Sequence, residues 1–360
     1  MKKIILGLFL LGLTACGQLG FLGEATEPVA SGSNETQVQI EAPEGNELAE
    51  APTQSTVPLE AFFPRGGDVT HYFSEVGNPA FYLQVFPVHI QGNRVQEQVV
   101  AQTPEGPSIA TRISELREGQ WLQVFARHGR LFDNITDHAQ NMHHVVLQEP
   151  LIIGSSWEAS GSEAGRTSTI TGVELVLETP AGQFNHVLQL TSTFNNGDQE
   201  ISYFAPGHGE IRTEHHSGEF VTVFELSRVS HGALQDELVV FYPNAALTSL
   251  SYENRVIERT TNMDHAALIS RELGAVIPDL ANVRVNSLWL NPAIDAIHID
   301  FGAEFLDINM GATYEHMLLE AIGVTLRVFS GLWHVGLTLD GESYQSGHIY
   351  LGPGQFINIG

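Results

Sequence analysis

Sixteen histidines and 42 carboxylates are the residues of this 360-residue chain best suited to chemistry, and their spacing decides which chemistry is open to them. His143-His144 and His215-His216 stand as doublets. Adjacent residues in a strand point to opposite faces, so neither doublet is a natural chelating pair. His298 and Asp300 would share a strand face, with His348 as a third candidate ligand. Nothing in the spacing specifies that third ligand, and no metal site is predicted. For His348 itself two roles compete: binding a wall fragment or a partner's carboxylate, or bonding a backbone carbonyl through its ring to fix the last strand. The structural role is the one adopted. Nucleophilic catalysis lacks its parts, with no Gly-x-Ser-x-Gly elbow and a single cysteine, Cys16. So many acids always offer pairs, which makes pairing uninformative about glycan hydrolysis. No glycine-rich segment follows a phosphate-loop spacing. The chain is therefore expected to have no catalytic residues, no cofactor and no metal.

Cys16 has another use. Lys2 and Lys3 open the chain, Ile4–Leu13 form an apolar run, and Leu13-Thr14-Ala15-Cys16 closes it with small residues. Ten apolar residues are too few to span a hydrocarbon core of about 30 Å. The pattern resembles the lipobox of bacterial lipoproteins. That resemblance implies cleavage after residue 15, lipidation of the Cys16 sulfur and a cell-membrane anchor facing outside the cytoplasm. Two or three acyl chains, at about 0.8 kcal/mol per buried CH₂, hold where one does not.

Charge narrows the partners. The two lysines lie in the leader, leaving 14 arginines against the 42 acids, and the whole chain carries −26. Such a surface repels nucleic acid and anionic headgroups, so membrane attachment must rest on lipid alone. Residues 16–58 hold seven glutamates, four prolines and no basic residue, a composition that predicts a disordered acidic tether of roughly 35 Å mean span.

The elements that would position any site fall in two parts. Residues 60–232 read as a β-rich domain, with strands at Ala80–His89, Gln120–Ala126, Val145–Leu147, Thr169–Glu178, His186–Thr193, Glu200–Phe204 and Phe220–Leu226. A helix is weakly signalled at Pro107–Leu116. Ala205–Gly209 reads as a tight connection. Antiparallel sheet, curved toward a half-barrel whose concave face could hold a lipid or peptide, is the expected architecture. Residues 236–360 mix strands with two helices, Asp264–Leu273 and Thr313–Phe329. In the second, Leu318, Leu319, Ile322, Leu326 and Phe329 repeat on one face, with Glu315 near its positive end. His316 falls beside that stripe, at the surface. Leu332–Leu339 and Ser343–Leu351 read as a pair around Asp340-Gly341. The fold class is α+β.

This last part resembles the GerMN domain of spore germination and sporulation lipoproteins. The resemblance is carried by Val240–Asn244, Ile299-Asp300-Phe301, Glu304-Phe305-Leu306 and Gly311. It continues through Glu315, Leu318–Ile322, Thr325-Leu326, Leu339-Asp340-Gly341 and Gly347-His348-Ile349. It implies a non-enzymatic envelope module that packs beside other copies or other envelope proteins, and it carries over no catalytic residue. The expected function is a lipid-anchored envelope protein acting by binding or scaffolding in sporulation or germination. The alternative is a cell-wall glycan or peptide hydrolase using carboxylates of the β-rich part. Exposure of Trp289, Trp333 or Tyr344 would favour a protein interface.

Overall fold

The computed structural model describes residues 53–103, 106–137, 140–159 and 165–359. The expected leader, Cys16 and the expected tether up to residue 52 lie outside them. After α1 (Leu59–Phe62) the chain runs through β1 (Val69–Glu75), β2 (Asn78–Gln91), β3 (Arg94–Thr103), β4 (Gly106–Arg117), β5 (Gln120–His128) and β6 (His144–Gln148). A second run follows: β7 (Ser156–Glu158), β8 (Arg166–Thr179), β9 (Gly182–Phe194), β10 (Gln199–Ala205), β11 (Gly209–Ser217) and β12 (Phe220–His231). Each run pairs with its neighbours in chain order, and β12 pairs antiparallel with β1, giving one twelve-stranded sheet whose edges are β6 and β7. Those edges are consecutive in the chain, and they approach each other: Trp157 Nε1 donates to the Val145 carbonyl at 3.3 Å. The sheet is thus curled nearly shut, with one unpaired seam.

All seven expected strands are present, and two expectations change. Pro107–Leu116 is β4, not a helix. Its β-branched Ile109, Thr111 and Ile113 alternate with Ala110, Arg112 and Ser114, a period of two that lets one strand serve two environments. Residues 53–58, expected to belong to the tether, are held against the body. Ser55 N–H donates to the Leu151 carbonyl, Ile153 N–H donates to Thr53, and Leu59, Phe62 and Phe63 are buried inside the curl. These apolar side chains draw residues 53–58 onto the body, which outweighs the local Pro and Thr content.

Beyond the sheet, β13 (Leu234–Pro243) and β14 (Leu250–Arg259) form a two-stranded ribbon, followed by α2 (His265–Val276). Asp264 caps α2, accepting from Ala267 N–H at 3.0 Å. A five-stranded sheet follows in the order β15 (Val285–Asn291), β16 (Ala296–Phe301), β17 (His334–Leu339), β18 (Glu342–Gln345), β19 (Tyr350–Leu351). β16 and β17 are parallel, and α3 (Ala312–Ser330) is the crossover between them. Gly331 ends α3 at φ +74, and Asp340-Gly341, both left-handed, make the β17–β18 turn. The predicted stripe on α3 is buried in full, and His316 is exposed. One apolar cluster joins this stripe to α2, to β13 and to Ile113, Leu122 and Val124 of β4 and β5. The helices therefore lie against the outer face of the large sheet. Leu131 and Phe132, between β5 and β6, fill the junction.

Candidate functional site

Alternation along β4 is what turns a charged side chain inward. Arg112 sits between Ala110 and Ser114 on the face opposite Ile113, and β3 places Glu97 directly across from it. Arg112 Nε donates to Glu97 Oε2 at 2.8 Å, and Nη1 and Nη2 make no hydrogen bond among the described residues. Inside the curl this pair borders a cavity of about 150 Å³. Phe73, Leu83, Val85 and Val99 of β1–β3 wall one side, and Leu190 and Phe204 of β9–β10 another. The β10–β11 turn reaches across the interior. His208 meets His71 edge to face at 5.8 Å, and Gly209, at φ +72, lies so close to Trp121 that a Cβ there would stand 3.2 Å from the indole. Next in that turn, Glu210 Oε1 accepts from Ser202 Oγ at 2.8 Å and from Thr213 Oγ1. Its other oxygen makes no hydrogen bond among the described residues.

A third of the Arg112 side chain, 33%, is accessible although protein surrounds the guanidinium, so its accessible surface is the cavity wall. Burial alone would lower its pKa. Glu97 and then Glu210 more than offset that and hold it above its ordinary value. Burial drives His71 down to about 4, with Glu97 opposing and His208 and Arg112 reinforcing. Burial also lowers His208. At neutral pH both imidazoles are uncharged, and the cavity centre holds one guanidinium and two carboxylates. Nearer the seam a second buried pair, Arg166 to Glu200 at 2.9 Å, is joined by Ser192 Oγ.

A different surface lies on the five-stranded sheet, on the side away from α3. Trp289 stacks on His298 at 5.0 Å and 8°, His298 approaches Phe356, and Phe356 stacks on His334 at 4.7 Å. Gly336 makes this possible, because a Cβ there would stand 2.2 Å from His298 Nδ1. Trp289 is 37% exposed and Trp333 63%, the latter under Arg327 at 4.2 Å. Tyr344 is buried, its hydroxyl donating to Glu315 Oε1 at 2.6 Å.

The predicted candidates separate. His298 and Asp300 do share a strand, but Asp300 is occupied structurally, accepting from Thr338 Oγ1 at 2.6 Å, Gly341 N–H at 2.8 Å and Asn286 Nδ2 at 2.9 Å. His348 is exposed, and it is its backbone N–H that is tied, to Ser346 Oγ at 3.0 Å, instead of its ring to a carbonyl. Among the described residues no three His, Cys, Asp or Glu side chains gather as a metal site. Of the doublets, His144 lines the cavity and His215 is turned away from its neighbour His216. The residues that sequence reasoning missed are Arg112, Glu97, Glu210, His71 and His208. The available signal was a polar residue on the apolar phase of an alternating run, Glu97 among Val95, Val99 and Ala101 and His71 between Val69 and Phe73; Arg112 and Glu210 carried no such signal.

Among the described residues no helix is long and apolar enough to cross a membrane. No protein-family model and no curated protein matches the chain. Solved structures that align with it include a protein of Parabacteroides distasonis provisionally called a lipoprotein. The two are 11% identical over 47% of this chain and 98% of that one, with a TM-score of 0.29. Another is a provisionally assigned exported protein of Bacteroides fragilis with a YmcC-like fold, at the same identity and coverage and a TM-score of 0.26. Likenesses of this size carry nothing over to this chain.

Proposed function

We propose that this chain is a lipid-anchored protein of the cell envelope, facing out of the cytoplasm, that acts by binding envelope proteins or further copies of itself and not by catalysis. The observation that carries the reading is the aromatic face of the five-stranded sheet. Trp289, His298, Phe356 and His334 form a run of ring contacts, Trp333 is exposed against Arg327 of α3, and exposed aromatics of this kind mark protein contacts. The anchor is Cys16, and the high negative charge argues against nucleic acid as a partner. A role in sporulation or germination rests on the GerMN resemblance of the same part.

Crosslinking in intact envelopes tests the reading. Trp289→Ala with Trp333→Ala should abolish crosslinked partners while the fold is kept, and Cys16→Ser should release the protein from the membrane fraction. Partners retained by the double variant would sink the binding role, and normal sporulation and germination of a deletion strain would remove the developmental one. A hydrolase is the second reading, favoured by the presence of Glu97 and Glu210 in one cavity. A volume of about 150 Å³ suits a benzene-sized guest and not a glycan strand, which weighs against it. Release of muropeptides from wall material by the purified protein would reverse that judgement.

A further inference from the structure

We infer that the cavity inside the curled sheet is a binding site for a small zwitterion of amino-acid size, its carboxylate on Arg112, its ammonium on Glu210 and its apolar part against Phe73 and Leu83. Three features select this class. Arg112 spends Nε on Glu97 and leaves the planar Nη1/Nη2 edge, the edge that grips a carboxylate in bidentate fashion, without a hydrogen-bond partner among the described residues. Glu210 spends Oε1 on the hydroxyls of Ser202 and Thr213 and keeps its second oxygen as an acceptor. Both groups line the same cavity.

Charge arithmetic then disfavours a plain anion, which at Arg112 would face both Glu97 and Glu210. A plain cation at Glu210 would offset the excess negative charge but leave the Arg112 Nη edge unmet. A molecule carrying both charges satisfies each group and leaves the local balance unchanged. The free volume of about 150 Å³ admits a body of roughly the size of benzene, which is that of a small amino acid.

The test is calorimetric titration of the full chain in detergent micelles with glycine, L-alanine, L-valine and L-leucine. Isobutylamine and isovalerate serve as the two single-charge counterparts of valine. At least one amino acid should saturate at one site per chain, with both counterparts bound tenfold more weakly or worse. Arg112→Gln and Glu210→Gln should each weaken it at least tenfold, with the unliganded melting midpoint of Glu210→Gln staying within a few degrees. Should Arg112→Gln fail to fold, Arg112→Lys keeps the cation without the fork and should still weaken binding. Saturation by none of the four, an equal affinity for isobutylamine or isovalerate, or unchanged binding by the folded variants would overturn the assignment.

Discussion

Around the cavity, Arg112, Glu97 and Glu210 stand in an interior that keeps open volume. Between α3 and the five-stranded sheet, the buried carboxylate of Glu315 is instead closed off by the Tyr344 hydroxyl, and Leu318, Ile322 and Leu326 leave no accessible surface. Both interiors bury charged groups. The difference is whether the chain itself supplies the last partner. Where it does, the charge serves the fold. Where it leaves an edge of a guanidinium and one carboxylate oxygen unspent beside free space, the charge is directed at something else.

Matched truncations should expose this contrast most sharply. Leu326→Ala, in the closed core, should cost about 3–4 kcal/mol, because the walls around it relax only partly. Leu83→Ala, beside space already open, should cost about 2 kcal/mol by urea unfolding. Equal losses would mean the cavity wall is as tightly packed as the helical core. The junction comes next. Asp236 pairs with Arg130 and with the buried Arg259 at 3.0 Å each, and the pKa of Arg259 is pulled down to about 10 by burial and by Arg130. Asp236→Asn strands two guanidinium groups and should cost about 3 kcal/mol, measured the same way. A single unfolding transition in that variant would show the two interiors melting together, and two transitions would show them separable. Tyr344→Phe leaves Glu315 without its donor and should cost about 2 kcal/mol.

The remaining effect is that of pH. His71 falls from 6.5 to about 4 and His265 to about 3, each chiefly through burial. The unfolded chain takes up these protons near pH 6.5 and the folded chain only well below. Their stability is therefore complete above 6.5 and lost as pH falls toward 4 and 3. Burial moves Asp133 the other way, from 3.8 to about 6, so its share declines as pH rises from about 4 to 6. Melting midpoints across pH 4–8 should drop on the acid side. His71→Gln should flatten the cavity's portion and leave that of His265.

Local pattern made much of this legible. The α3 stripe, the Asp264 cap, the Asp340-Gly341 turn and seven strands follow from period, capping and turn chemistry, which act over a few residues. Pro107–Leu116 misleads because Ala110, Arg112, Glu115 and Leu116 suit a helix as well as a strand, and only pairing with β3 and β5 decides. The cavity was hidden for a related reason. Arg112 and Glu97 are neighbours across a ladder, and Glu210 reaches them from the far side of the curl. No spacing along the chain encodes that closure, so their shared environment emerges only when residues remote in sequence are brought together.

The pairing of Val69–Glu75 with Phe224–His231 has its own consequence for how the protein is made. As the polypeptide crosses the membrane amino end first, the opening meander can zip up at once, yet one of its borders must wait, hydrogen-bonding groups bare, until the closing strand has followed. That interval invites mispairing with other unfolded chains. Stalling export just before residue 220 should therefore lower the yield of native protein, and a holdase outside the cytoplasm that shields bare strand borders should restore it.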